Sequence, residues 1–291
     1  MLRIKFQLGA VGGLSLLIFV SLVASSAEAG EKSKLEVIEY RGGIRNSNGN
    51  YRLERKYLNL LLSSLREKTG FAELHFDDAD YLEIGNKENY VGGSNAARKL
   101  LLSALEGKIL FKLEHHDRSE KVNFARLAES TIFRNMITKQ EIEVRPLVID
   151  FFDYDHLMGD RDVRHSFDQG MNVLHELVHG VYNLRDAVED PNELGECENF
   201  VNTIRHDLGL PERQYYMARI YSALMPAGTI VQQAKLQFTR TKEKNGNLKT
   251  ETVFLSWDVG RVGLVKADEQ LLANKAKGVK ATAQNTLLAV P

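Results

Sequence analysis

Apolar and polar residues alternate along the chain with two different periods. Between residues 51 and 68, leucines recur at helical spacing (Leu53, Leu58, Leu61, Leu65), and Gly70 then stops the helix. Ser94 is placed to cap a second helix running to about Glu106, with Leu100, Leu101 and Leu105 on its buried side. Period-two or continuously apolar runs over 35–40, 71–76, 108–116 and 141–155 predict strands. The last of these contains Pro146, which predicts an edge or broken strand. A long helix is expected over 162–182, and after an acidic loop another helix ends at Gly209 and Pro211. Two alternating runs flank Asn245-Gly246, a hairpin signal. The interspersed strands and helices, with no repeat and no long linker, predict one α+β domain over residues 30–266. The polar, small-residue tail 267–291 is expected to be a frayed helix or flexible.

The helix over 162–182 carries LHELVHG at 174–180. On a helix, His175 and His179 lie one turn apart on one face, where a single ion can take both imidazoles. Glu176 is then placed to act as a general base on water rather than on the metal. Leu174, Leu177, Val178 and Val181 supply a buried face distinct from the histidines. By contrast, His115 and His116 are adjacent on a strand and point to opposite faces, so they do not readily share an ion.

Composition adds limits. The 291 residues are 43% hydrophobic and 26% charged, with net charge -1, so no nucleic-acid partner is expected. Arg3 and Lys5 precede an uncharged stretch from Phe6 to Ala24, and Ala27-Glu28-Ala29 offers a cleavage signal. Residues 1–29 therefore read as a secretory signal peptide, with an uncleaved anchor as the alternative and the only route to membrane attachment. The mature domain is expected to be exported, periplasmic or secreted. The one cysteine, Cys197, excludes a disulfide framework and a cysteine-rich zinc site, leaving histidines and carboxylates as the expected ligands.

A zinc site needs a third protein ligand. The metzincin pattern H-E-x-x-H-x-x-G-x-x-H is excluded because residue 185 is Arg. Carboxylates further on are Glu189, Asp190, Glu193, Glu196 and Glu198. Glu196 and Glu198 flank opposite sides of the apolar stripe Cys197, Val201, Ile204 and Leu208, so only one of them can easily ligate. Glu198 shares its side with Asn202 and Arg205, which could orient a ligand or stabilise an oxyanion. That company favours Glu198.

HELVHG resembles the zincin metallopeptidases. Downstream, Asn202-Thr-Ile-Arg205, Leu208-Gly-Leu-Pro211-Glu-Arg213 and Tyr215-Tyr216 resemble the N-x-x-R…L-G-L-P-x-R-x-x-Y tail of bacterial effector-type and toxin-associated zinc peptidases, which are gluzincin-like. The similarity covers roughly residues 165–216. It implies a zincin-like fold with a mixed sheet, an active-site helix and a following ligand-bearing helix. It implies Zn2+ held by His175, His179 and an acidic residue, with Glu176 as base. Arg205, Arg213 and Tyr215 or Tyr216 are implied as transition-state stabilisers, Tyr215 being the first choice. The expected activity is hydrolysis of a protein or peptide substrate by metal-activated water. The alternatives are an inactive zincin-fold binding or structural protein stabilised by zinc, and a non-peptidase zinc hydrolase.

Overall fold

A computed structural model describes residues 41–119, 122–134, 139–187, 190, 192–224, 230–244, 246–263 and 287–289. The expected signal peptide and the strand expected over 35–40 lie outside these residues. The described residues belong to one unit, Tyr40–Pro291.

Two sheets and a helical layer form the α+β architecture. The first sheet is mixed. Strands β1 (Gly43–Asn46), β4 (Ile109–His115) and β7 (Glu141–Ile149) run parallel, in the order β1-β4-β7. Strands β5 (Ala125–Leu127) and β6 (Thr131–Arg134) pair antiparallel with the two halves of β7. Strands β2 (Leu74–Phe76) and β3 (Leu82–Ile84) make a small ribbon. Helices α1 (Arg55–Thr69), α2 (Asn95–Glu106), α5 (Gln169–Tyr182) and α6 (Gly195–Asp207) share a core with this sheet, built on Leu61, Leu65, Leu100, Phe111, Leu174 and Val201. The second sheet is antiparallel, in the order β11-β10-β9-β12, from β9 (Met217–Leu224), β10 (Ile230–Lys244), β11 (Asn247–Asp258) and β12 (Leu287–Ala289). Strand β8 (Glu212–Arg213) pairs with β10. Phe124, Phe167, Phe238 and Trp257 centre a second core there. Among the described residues no helix is long and apolar enough to cross a membrane.

Local chemistry accounts for most boundaries. Gly70 caps α1 in the left-handed region at φ 81°, and the Ser94 side chain accepts from the Ala97 N–H to start α2. The hairpin expected around Asn245-Gly246 forms, with Lys244 opposite Asn247 and Gly246 at φ 77°.

Three expectations are corrected. β7 is an internal strand despite Pro146. The Pro146 carbonyl accepts from Ala128 N–H at 2.8 Å, so its missing N–H falls on the same side, in the gap between β5 and β6. β7 also stops at Ile149, because the Asp150 side chain accepts from Phe152 N–H and opens the short helix α3 (Phe151–Tyr154). The single helix expected over 162–182 is two, α4 (Arg161–His165) and α5, because the Asp168 carboxylate caps Met171 N–H and restarts the chain. Ser64 Oγ and the fully buried Lys68 Nζ of α1 hold that carboxylate at 2.8 and 2.9 Å. Finally, Leu287–Ala289 of the tail forms β12 against β9, three apolar residues taking an edge.

Candidate metal centre

Helix α5 is buried on every side from Gly170 to Val178, His175 included, and His179 follows half-buried. It lies close to the sheet at Gly180, where an added Cβ would come within 2.3 Å of the Phe111 ring. The glycine of LHELVHG therefore sets the depth at which the histidines sit.

The two imidazoles converge, with Nε2 atoms 3.2 Å apart. His175 Nδ1 lies 3.0 Å from Glu198 Oε2, and His179 Nδ1 lies 2.7 Å from the Leu184 carbonyl. Both of those partners can only accept, so each ring carries a proton on Nδ1 and turns its Nε2 inward.

Asp186 meets them from the loop after α5. Asn183 ends the helix at φ 54°, and its N–H returns to the His179 carbonyl. Asp186 then bridges to Gly195, at φ 76°, where an added Cβ would stand 2.4 Å from Ala187 N. The Asp186 carboxylate reaches His179 Nε2 at 3.1 Å and His175 Nε2 at 3.4 Å. Cys197, in the first turn of α6 and fully buried, adds its sulfur. The donor atoms of His175, His179, Asp186 and Cys197 all lie within 4.8 Å of one another. Nitrogen and oxygen ligands about 2.0–2.1 Å from a tetrahedral ion stand ~3.3–3.4 Å apart, so the spacing fits one ion. The cluster can hold a metal ion.

The charges respond to this crowding. Burial would push the Asp186 carboxyl up, but hydrogen bonds from the two imidazoles hold it well below the usual range. Burial would lower His179, yet its bonds to Asp186 and Cys197 raise it to about 10. His175 is raised well above its ordinary value against the same burial, by Cys197, Asp186 and Glu198.

Glu176 is 2% exposed. Its Oε2 accepts from Leu127 N–H of β5 at 2.7 Å, and its Oε1 is buried with no hydrogen-bond partner among the described residues. Burial raises its pKa, and the two histidines only partly offset this.

Glu198, expected as the third ligand, falls outside this donor set. Glu198 is fully buried but stands at Nδ1 of His175, not with the Nε2 atoms, and its oxygens are taken up by Arg205 (2.5 Å) and Arg213 (3.1 Å). It orients His175. Of the other carboxylates considered, Asp190, Glu193 and Glu196 are exposed, and Glu189 lies outside the described residues.

Arg205 also differs from expectation. Besides Glu198 it bonds Asn202 Oδ1 and the Ser166 carbonyl at 2.8 and 2.9 Å, and it is 2% exposed. Its donors are thus turned to Glu198 and to its own neighbours. Asn202 clasps the Arg213 backbone from both sides, accepting from its N–H at 2.9 Å and donating to its carbonyl at 2.8 Å. Arg213 in turn donates to the carbonyls of Tyr215 and Tyr216. The N-x-x-R…R-x-x-Y stretch is thus a buried clamp around one carboxylate.

That clamp seats Tyr216, not the expected Tyr215, at the centre. Tyr216 is 3% exposed, stacks on His175 with ring centroids 6.3 Å apart, and lies beside Asp186. Burial and the neighbouring Asp186 raise its pKa. Tyr215 instead lies under Arg219, 4.7 Å from its ring centre.

Asp186, Cys197 and Tyr216 were missed or passed over in the sequence. The signal for Asp186 is Asn183, a residue that tolerates the left-handed turn and is followed three places later by the acid. No protein-family model, curated protein or solved structure matches this chain.

Proposed function

We propose that the protein is an exported zinc-dependent metallopeptidase with a zincin-like arrangement around the H-E-x-x-H helix. The observation that carries this reading is the convergence of His175 Nε2, His179 Nε2 and the Asp186 carboxylate beside the buried carboxyl of Glu176. His175, His179 and Asp186 would hold the ion. Bound zinc would supply Lewis-acid polarisation of the scissile carbonyl and acidify the attacking water. Glu176 would take a proton from the attacking water and pass it to the leaving amine, a task suited to a carboxyl whose pKa burial has raised. Tyr216, against both His175 and Asp186, is the nearest neutral donor on the clamp side. The N-terminal charge pattern and Ala-Glu-Ala segment support export.

The test is Glu176→Gln. Wild type should cleave labelled casein and the variant should lose about 10²-fold or more of that activity, with equal zinc in both. One observation favours a second reading, a metal-stabilised protein without activity: the buried sulfur of Cys197 within the donor set. Equal cleavage by wild type, Glu176→Gln and Cys197→Ala, with unfolding on zinc removal, would select this second reading.

A further inference from the structure

Catalytic zinc sites keep one position open, whereas structural sites close all four. Here four donors, not three, fall within 4.8 Å of one another, and the fourth is the sulfur of Cys197. The cysteine is held in place from both directions. Its N–H donates to the Arg185 carbonyl at 3.1 Å, beside Asp186, and its sulfur lies 3.5 Å from the His175 carbonyl. It is fully buried, so no solvent thiol chemistry accounts for its position. A second observation points to a ligand at the same place. Glu176, 2% exposed, spends Oε2 on Leu127 N–H and has a buried Oε1 without a partner among the described residues.

We propose that Cys197 is a fourth metal ligand, and that in the resting protein its sulfur occupies the coordination position an attacking water needs. As the metal–sulfur bond forms, the thiol gives up its proton to solvent, and nothing is oxidised or reduced. The protein is then self-inhibited, and losing that one ligand opens the site. Ligation stands on the donor geometry alone. Self-inhibition rests on the peptidase reading above.

Cobalt loading separates the two. Wild-type protein carrying one Co2+ should show a near-ultraviolet sulfur-to-cobalt charge-transfer band, and zinc-loaded protein a sulfur scatterer at about 2.3 Å in X-ray absorption. Both are read on the wild type, so a variant that fails to fold does not blunt them. Absence of both would overturn ligation. Cys197→Ala and Cys197→Ser should retain cobalt, lose the band, and cleave labelled casein about 10²-fold or more faster than wild type, because Glu176 then has a water to deprotonate. Variants that lack the band but cleave no faster than an active wild type would overturn self-inhibition. A wild-type band with no cleavage by wild type or variants would overturn the peptidase reading while leaving Cys197 as a ligand.

Discussion

Replacing Glu198 with alanine removes the carboxylate between two guanidinium groups, Arg205 at 2% and Arg213 at 0% exposure. Breaking one buried ion pair costs about 3–5 kcal/mol, because the surviving charge is left desolvated. Two buried cations share this carboxylate, so the loss should lie at the upper end, about 5 kcal/mol. For a domain of this size that lowers the melting temperature by roughly 10–20 °C. Glu198→Gln keeps the shape and an acceptor, and should lose less. Since Glu198 touches the metal only through His175, zinc affinity should fall about 10–100-fold without being abolished. Asp186→Ala should do the reverse. It removes a donor that faces both Nε2 atoms, so zinc binding should fall far more than in Glu198→Ala, while the two imidazoles can deprotonate and the metal-free protein should lose less melting temperature than Glu198→Ala does. The assay is thermal unfolding of the metal-free proteins, paired with zinc content after dialysis against excess zinc. If Glu198→Ala loses all its zinc while Asp186→Ala retains it, the assignment of Asp186 as ligand and Glu198 as support is wrong.

Other expectations are equally direct. His179 is raised to about 10 in the metal-free protein and so is protonated at pH 7, and His175 is shifted in the same direction, so ligation must release protons. Calorimetric zinc titrations in buffers of different ionisation enthalpy should show at least one proton released per zinc; a value near zero would refute the charge state. The same shifts fix the sign of the stability profile. Their contribution to metal-free stability is complete below the unfolded histidine pKa of about 6.5 and is lost as pH rises through about 10, the value for His179. Asp168→Ala removes both the α5 cap and the nearer of the two carboxylates on fully buried Lys68, leaving Glu67 at 3.2 Å. It should cost about 3–5 kcal/mol in denaturant unfolding, and a loss under 1 kcal/mol would contradict the pairing. Tyr216→Phe should lower kcat or zinc affinity about 10–100-fold while Tyr215→Phe changes little, and equal effects would reject the distinction.

How far the fold could be read from the sequence depended on whether its signals were local. The Leu61–Leu65 stripe, the Ser94 cap and the Asn245-Gly246 turn are each contained within a few residues, and each formed where the pattern indicated. The position of β7 was hidden because Pro146 is disqualifying only if its missing N–H faces a partner, which depends on two other strands. In the centre itself the histidines and Glu176 follow from helix geometry. The third donor does not. Glu198 looked like a ligand because of Asn202 and Arg205, and those residues do surround it, but as a clamp that consumes its oxygens. Periodicity can show which residues share a face. It cannot show which end of an imidazole they face. Cys197 was read as core because it lies on the apolar stripe of α6, and it is buried; the stripe passes beside the histidines.

Diffraction from zinc-loaded crystals on either side of the zinc absorption edge tests the central claim most directly. The account predicts one anomalous peak about 2.0–2.2 Å from His175 Nε2, His179 Nε2 and an Asp186 oxygen, with Glu198 remaining on His175 Nδ1. A peak coordinated by Glu198, or none between the two histidines, would contradict it.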